Sequence, residues 1–126
     1  MANNKKLYLT AVLYTFFTLF LFTFNFEESV KSIRLVNPDF SVCLDKFFHL
    51  LIFLFLYFIW FYSLKKSSII SKFILFLSLS IYGLIIELIQ LKLPHRSFEF
   101  IDIIFNTTGL LVSLILIRFQ DKNFKK

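Results

Sequence analysis

Four long segments that are almost free of charged residues limit the fold of this chain more than any other feature. They cover residues 7–26, 47–64, 73–91 and 103–117. Glu87 is the only charged residue within them. An α-helix rises about 1.5 Å per residue, so about 20 residues cross a hydrocarbon core of about 30 Å. The fourth segment approaches this length when Phe119 extends it and Arg118 turns its charge toward the membrane surface.

The composition excludes the main alternatives. Hydrophobic residues make up 58% of the chain and charged residues 17%, which is more apolar than an average soluble domain and excludes a disordered chain. A single cysteine excludes a disulfide scaffold, and two glycines supply few of the turns that a β-sandwich or β-barrel needs. The sequence therefore predicts an all-α polytopic membrane protein with one membrane domain over residues 1–126. The expected transmembrane helices lie at about 7–26, 47–64, 73–91 and 103–119. The outer loop between the first two is expected at 27–44.

The distribution of charge predicts the orientation. Four spans put both termini on one side, and that side carries a single acid, Asp121, against nine basic residues: Lys5, Lys6, Lys65, Lys66, Lys72, Arg118, Lys122, Lys125 and Lys126. The other side carries five basic and seven acidic residues: Lys31, Arg34, Lys46, Lys92, Arg96, Glu27, Glu28, Asp39, Asp45, Glu87, Glu99 and Asp102. The positive-inside rule then places both termini in the cytoplasm of a multi-pass protein in the cell (inner or plasma) membrane. The basic tail is a topology signal, and nucleic acid is not an expected partner.

Polar residues recur at one depth in the last three helices. Asp45 and His49 are one turn apart near the outer start of the second helix, and Glu87 and Gln90 share a face near the outer end of the third. Asp102 and Asn106 occupy the same depth in the fourth helix. A carboxylate that faces lipid is costly, so these side chains should face one another near the outer leaflet. Three small residues should let the third and fourth helices approach closely: Gly83, Gly109 and Ser113.

The same residues resemble the motif of the VanZ-like family of small bacterial membrane proteins. The motif runs Asp45-Lys46-x-x-His49, Glu87-x-x-Gln90, Arg96 with Asp102 six residues later, and Asn106-x-x-Gly109. The chain departs from the usual pattern at Phe53, where Tyr is common, and at His95 and Ser113, where Gly is common. The resemblance implies a membrane protein of the cell envelope, and the family's namesake is associated with resistance to the glycopeptide teicoplanin.

Eight residues are the candidate ligand-binding set: Asp45, Lys46, His49, Glu87, Gln90, Arg96, Asp102 and Asn106. Arg96 and Lys46 would bind anionic oxygens, since a guanidinium grips phosphate or carboxylate with two hydrogen bonds. Glu87 or His49 would serve as a general base if the protein catalyses a reaction. We also expect Glu87 to be ionised and paired with Arg96 or, as the alternative, Lys46.

Several of these residues also have a structural interpretation. Asp45 would cap the start of a helix, and Asn106 and Gln90 would join helices by hydrogen bonds. The phenylalanines and Trp60 are interpreted as lipid-facing bulk or interfacial anchors. No cofactor is expected. Metal ligation by His49 and the acids near it is not expected either, because the sequence contains no closely spaced ligand motif.

Three functions stay open at this point. The polar residues could bind a polar or anionic group of a cell-envelope compound, such as a lipid headgroup or a cell-wall precursor. They could instead modify such a compound, or they could only hold the helix bundle together. The lipid bilayer is the expected partner in every case, and the sequence leaves the oligomeric state and the reaction open.

Overall fold

The computed structural model describes residues 2–24, 38–64, 68–94 and 96–123, and these residues form four α-helices. Helix α1 spans Ala2–Thr23, α2 spans Pro38–Leu64, α3 spans Ile69–Gln90 and α4 spans Phe100–Asn123. Each contains a segment long and apolar enough to cross a membrane: Lys5–Thr23, Val42–Leu64, Ile69–Gln90 and Phe100–Gln120. The prediction of an all-α, four-span membrane protein is confirmed.

Helix α2 begins earlier than the sequence predicted. The charge-free segment starts at residue 47, but the helix starts at Pro38, so residues 38–44 are helical although they were expected in a loop. Proline suits the first turn of a helix, where its missing N–H has no intrahelical acceptor. The charges of Asp45 and Lys46 end the charge-free segment, but these two residues pair with each other and the helix continues through them. The rest of the expected loop, residues 27–37, lies outside the described residues.

The helices run alternately up and down. Side chains at matching depths meet across the bundle, as Thr18 of α1 meets Tyr82 of α3 and Tyr62 of α2 meets Gln120 of α4. Helices α2 and α4 make the most extensive contact, while α1 packs on α2 and α3 and, in the described part of the chain, does not contact α4. Both described ends of the chain therefore lie at one end of the bundle, which we call the terminal end.

The centre of the bundle is apolar. Its buried hydrophobic residues form one cluster: Phe22, Phe53, Leu56, Tyr57, Leu75, Leu79, Ile86, Leu110 and Ile117. Large apolar side chains also cover the outside, including Phe16, Phe55, Phe73 and Phe119, which are more than half exposed. A surface of this kind suits lipid, so the expectation of lipid-facing phenylalanines is confirmed for these residues.

Gly109 and Ser113 draw α4 against α2, although they were expected at the contact of α3 with α4; Gly83 does lie at that contact, against Asn106. A methyl group added to Gly109 would lie 2.2 Å from the carbonyl oxygen of Leu50. One turn later, the Ser113 hydroxyl donates to the carbonyl of Leu54 at 2.8 Å. Gly83 of α3 lies against the Phe53 ring and the Asn106 amide. Close approach of backbones is a common way for helices to associate in lipid.

Trp60 differs from its expected position as an interfacial anchor. Its indole N–H donates to the Thr15 hydroxyl of α1 at 2.9 Å, and its ring meets Tyr8 edge-on. Tyr82 donates to the Thr15 carbonyl at 2.6 Å, which joins α3 to the same place on α1. These hydrogen bonds fix α1 to α2 and α3 at mid-depth, where lipid offers no competing partner.

Candidate functional site

Charged and polar side chains converge at the end of the bundle opposite the terminal end, where α3 ends and α4 begins. We call this group the ionic cluster; it comprises Asp45, Lys46, His49, Glu87, Arg96, Glu99, Asp102 and Asn106. Helix α2 contributes the first three, the end of α3 contributes Glu87, the connection 91–99 contributes two, and α4 contributes the last two. The predicted convergence is confirmed for Asp45, His49, Glu87, Asp102 and Asn106, but Gln90, which was expected to join them, bonds to the first helix instead.

Lys46 lies at the centre of the acidic groups. Its side chain is 8% exposed, and its ammonium contacts the Asp102 carboxylate, Glu99 Oε2 at 2.5 Å and Asp45 Oδ2 at 3.3 Å. These three acids come from α4, from the α3–α4 connection and from α2, so Lys46 joins three parts of the chain. Its charge is shared with these three acids in the structure, and binding of the anionic oxygens of a ligand by Lys46 stays a prediction.

His49 lies one turn deeper than Asp45 and is almost completely buried. Its Nδ1 is 3.0 Å from Asn106 Oδ1, and its Nε2 is 3.7 Å from Asp102 Oδ2. The ring packs on Phe22 of α1 with a centroid separation of 4.3 Å and an angle of 35° between the ring planes. Packing and the hydrogen bond to Asn106 therefore hold the imidazole in one orientation.

Glu87 has a different partner from the one expected. Its side chain is fully buried, with Oε1 3.9 Å from His49 Nδ1 and Oε2 accepting the backbone N–H of Glu99 at 3.5 Å. Among the described residues, the ion pairs of Lys46 and Arg96 go to other acids. The prediction that Glu87 pairs with Arg96 or Lys46 is wrong because three carboxylates nearer the membrane surface attract Lys46 away from it.

Arg96 lies in the α3–α4 connection at the rim of the cluster. Its side chain is 26% exposed, and Nη1 is 4.0 Å from Asp45 Oδ1, which is the outer limit of an ion pair. A guanidinium held this loosely keeps donors available for another partner. Arg96 is therefore the cation of the cluster best placed to meet a ligand.

Two predicted site residues have roles that differ from those expected. Gln90 is buried, and its amide donates to the carbonyl of Phe22 at 2.9 Å. It ties α3 to the end of α1, in agreement with the structural interpretation of this residue. Asp45 does not cap a helix, since α2 begins seven residues earlier at Pro38. Its carboxylate instead contacts Lys46 and Arg96.

Glu99 is the cluster residue that the sequence analysis missed. It contacts Lys46 through Oε2 and offers its backbone N–H to Glu87, so it joins two members of the cluster. Its position three residues before Asp102 was the available signal. The backbone N–H of Asp102 bonds to the Glu99 carbonyl at 3.0 Å, which places both acids at the first turn of α4.

The two candidate general bases, Glu87 and His49, lie next to each other, and both are buried. The donor atoms of Asp45, His49 and Asp102 all lie within 4.8 Å of one another. The sequence analysis discounted a metal for lack of a close ligand motif along the chain, but the fold brings these groups together across two helices.

A separate cavity of about 290 Å³ lies between α1, α2 and α3, nearer the terminal end. Its lining is mostly apolar, with hydroxyl groups from four residues among the nine that line it: Thr15, Trp60, Leu64, Ser71, Ile74, Leu75, Ser78, Leu79 and Tyr82. No member of the ionic cluster lines this cavity.

Comparison with known families identifies the chain. A family model described as VanZ/LLP1 matches residues 4–121, which include all four membrane-spanning segments and the whole ionic cluster. The chain belongs to the VanZ/LLP1 family. Membership confirms the resemblance seen in the motif and, with the four spanning helices, shows a multi-pass membrane protein in contact with the lipid bilayer. No curated protein and no solved structure matches the chain.

Proposed function

We propose that this VanZ/LLP1 protein binds a cell-envelope compound through the ionic cluster, at the outward-facing end of the bundle. The observation that supports this most is the combination of a buried ionic network with a loosely held, partly exposed Arg96 at its rim. Ionisable groups inside a membrane protein are expensive and are commonly functional.

The chemistry of the rim favours a ligand with anionic oxygens, such as a lipid headgroup or a cell-wall precursor. Arg96 would grip a phosphate or carboxylate through two of its N–H groups. Lys46 would act indirectly, because it holds Asp45, Glu99 and Asp102 in place beneath the ligand. Glu87 and His49 would take part if the bound compound is also modified.

The basic residues at the terminal end support the proposed orientation, in which that end lies in the cytoplasm and the ionic cluster on the envelope side. A role in glycopeptide resistance of the teicoplanin type would fit this location, since such antibiotics act outside the membrane. This link rests on the association of the family's namesake.

Lipid retention tests the proposal. The wild-type chain and an Arg96→Ala variant are purified from native membranes in mild detergent, and the envelope lipids that stay bound are quantified by mass spectrometry. We expect the wild type to retain a compound with an anionic headgroup and Arg96→Ala to lose it. Lys92→Ala is the matched control, because Lys92 is an exposed cation at the same end of the bundle. Equal retention by all three proteins would contradict the proposal.

One observation favours a second function, that of a structural partner protein. Lys46 joins α2, the α3–α4 connection and α4, so the cluster also holds the bundle together. Arg96→Ala separates the two functions, since it removes the proposed contact with the ligand but leaves the ion pairs of Lys46 in place. A working site predicts normal abundance in the membrane with loss of any phenotype, including teicoplanin resistance. Loss of the protein from the membrane would favour the structural function.

A further inference from the structure

Asp45, His49 and Asp102 form a compact set of donor groups on two neighbouring helices. Asp45 and His49 are one turn apart on α2, and Asp102 faces them from the first turn of α4. Their donor atoms lie within 4.8 Å of one another. Carboxylate oxygens and an imidazole nitrogen are ligands that zinc and related divalent ions accept.

Both carboxylates use only one oxygen for Lys46. Asp102 contacts the ammonium through Oδ1, while its Oδ2 lies 3.7 Å from His49 Nε2. Asp45 contacts it through Oδ2, while its Oδ1 has Arg96 Nη1 at 4.0 Å. The second oxygen of each carboxylate is therefore available to another cation. Lys46 can remain in place beside such a cation, since a carboxylate can bridge two positive groups.

The buried nitrogen of His49 points into this set without a hydrogen bond. No hydrogen bond within the described residues reaches Nε2, and 3.7 Å to Asp102 Oδ2 is too long for one. Tetrahedral zinc holds nitrogen and oxygen ligands at about 2.0–2.2 Å, which separates them by about 3.3–3.5 Å. The distance between these two atoms is close to that of two ligands on one ion.

Asn106 supplies the support that a metal-binding histidine requires. A ligating imidazole usually donates its other N–H to an oxygen, which fixes the ring and its tautomer. Asn106 Oδ1 lies 3.0 Å from Nδ1, and Glu87 Oε1 lies 3.9 Å from the same nitrogen. Two acceptors at Nδ1 favour a proton there, and this leaves the Nε2 lone pair directed at a carboxylate oxygen. A cation between the two atoms removes that repulsion.

The charge of the cluster also calls for another cation. Three carboxylates, those of Asp45, Glu99 and Asp102, share one lysine and one loosely held arginine, and that of Asp102 is buried. Uncompensated charge in a buried location is costly. A divalent ion held by Asp45, His49 and Asp102 would compensate it.

We propose that Asp45, His49 and Asp102 bind a divalent transition-metal ion, for which zinc is the best match. Three protein ligands leave one coordination position for water or for an oxygen of a ligand. Arg96 Nη1 lies 4.0 Å from Asp45 Oδ1, next to one of the three proposed ligands. The proposal concerns this chain alone and does not depend on which envelope compound, if any, the protein binds.

Metal binding by the purified full chain in detergent tests the site. A tag without histidine is used, the protein is stripped of metal with a chelator, and zinc is titrated by calorimetry. Cobalt(II) replaces zinc in a second titration, because its visible absorption reports tetrahedral coordination. We expect one ion per chain, a tetrahedral cobalt spectrum, and affinity reduced at least about 10-fold by Asp45→Asn, in which a partly exposed ligand loses its charge.

Glu99→Gln is the matched control. Glu99 is an acid that contacts the same lysine but lies outside the proposed ligand set. The zinc affinity of the Glu99→Gln variant should therefore stay within about 3-fold of that of the wild type. Thermal unfolding without metal confirms that both variants are folded. The proposal is overturned if the wild type shows no saturable binding, if Asp45→Asn binds like the wild type, or if Glu99→Gln loses as much affinity as Asp45→Asn. Zinc binding without lipid retention would refute the proposed function and support the metal site. Lipid retention without zinc binding would refute the metal site and support the proposed function.

Discussion

At the scale of single residues, Lys46 determines how the ionic cluster holds together. One ammonium group, almost completely buried, is shared by three carboxylates from different parts of the chain. Removal of one partner from such an arrangement is costly because it leaves buried charges without compensation. The net value of the intact ion pairs is smaller, since desolvation of the charges offsets much of their attraction.

Lys46→Met should therefore destabilise the protein by about 3–5 kcal/mol, mainly through the uncompensated charge of Asp102. Thermal unfolding in detergent measures the loss. Lys92→Met removes an exposed lysine at the same end and should change the stability by less than about 0.5 kcal/mol. In the double variant Lys46→Met/Asp102→Asn, part of the loss should be recovered. A Lys46→Met variant as stable as Lys92→Met would show that the cluster does not depend on this ion pair.

The sequence predicted which residue types meet at this end but not how they pair. Helical spacing and direction placed Asp45, His49, Glu87 and Asp102 at one depth, and the structure agrees. The pairing depends on rotation of each helix and on the path of the α3–α4 connection, which spacing does not determine. Glu99 was missed for this reason, since it lies in that connection and reaches Lys46 only through the fold.

At the scale of helices, the contact between α2 and α4 positions the residues of the ionic cluster. Gly109 and Ser113 bring the two backbones together directly below the level of His49 and Asn106. The residues that form ion pairs and hydrogen bonds with one another across the cluster come mainly from these two helices. Their close approach is therefore a condition for the geometry of the site.

Gly109→Ala should destabilise the protein by about 1–3 kcal/mol, because the new methyl group would meet backbone atoms of Leu50 that cannot rotate away. Gly83→Ala is the matched control. Its methyl group would lie 3.1 Å from the Phe53 ring, which can shift, and alanine gains up to about 1 kcal/mol in helix propensity. The difference in unfolding temperature between the two variants measures the effect. An equal loss in both would contradict the assignment of Gly109 to a backbone contact.

The sequence could not predict which helix Gly109 would approach. Small residues mark close contacts in a membrane, but these helices are apolar on nearly every side, so no polar face shows which side is buried. The existence of four spans, in contrast, depends only on length and hydropathy, and it was predicted correctly. Trp60 shows the same limit: its aromatic character suited an interface, but its N–H bonds to α1.

At the scale of the whole molecule, the two ends of the bundle differ in charge. The terminal end carries most of the basic residues and one acid, Asp121, and the other end carries the remaining acids, the ionic cluster and Arg96. The orientation in the membrane decides whether the cluster faces the envelope or the cytoplasm. Both the proposed ligand and the proposed role depend on this point, so the outward position of the cluster is the central claim of the account.

Labelling of Cys43 tests this claim most directly. Cys43 is the single cysteine of the chain; it is exposed on α2 two residues from Asp45, and it therefore reports on the end that carries the cluster. An impermeant maleimide should label it in intact cells, or in spheroplasts where an outer membrane intervenes. In a Cys43→Ser/Ser67→Cys variant the cysteine follows α2 and precedes α3 in the sequence. This cysteine should react only after the membrane is permeabilised. Labelling of Ser67→Cys and protection of Cys43 in intact cells would place the ionic cluster in the cytoplasm and contradict the account.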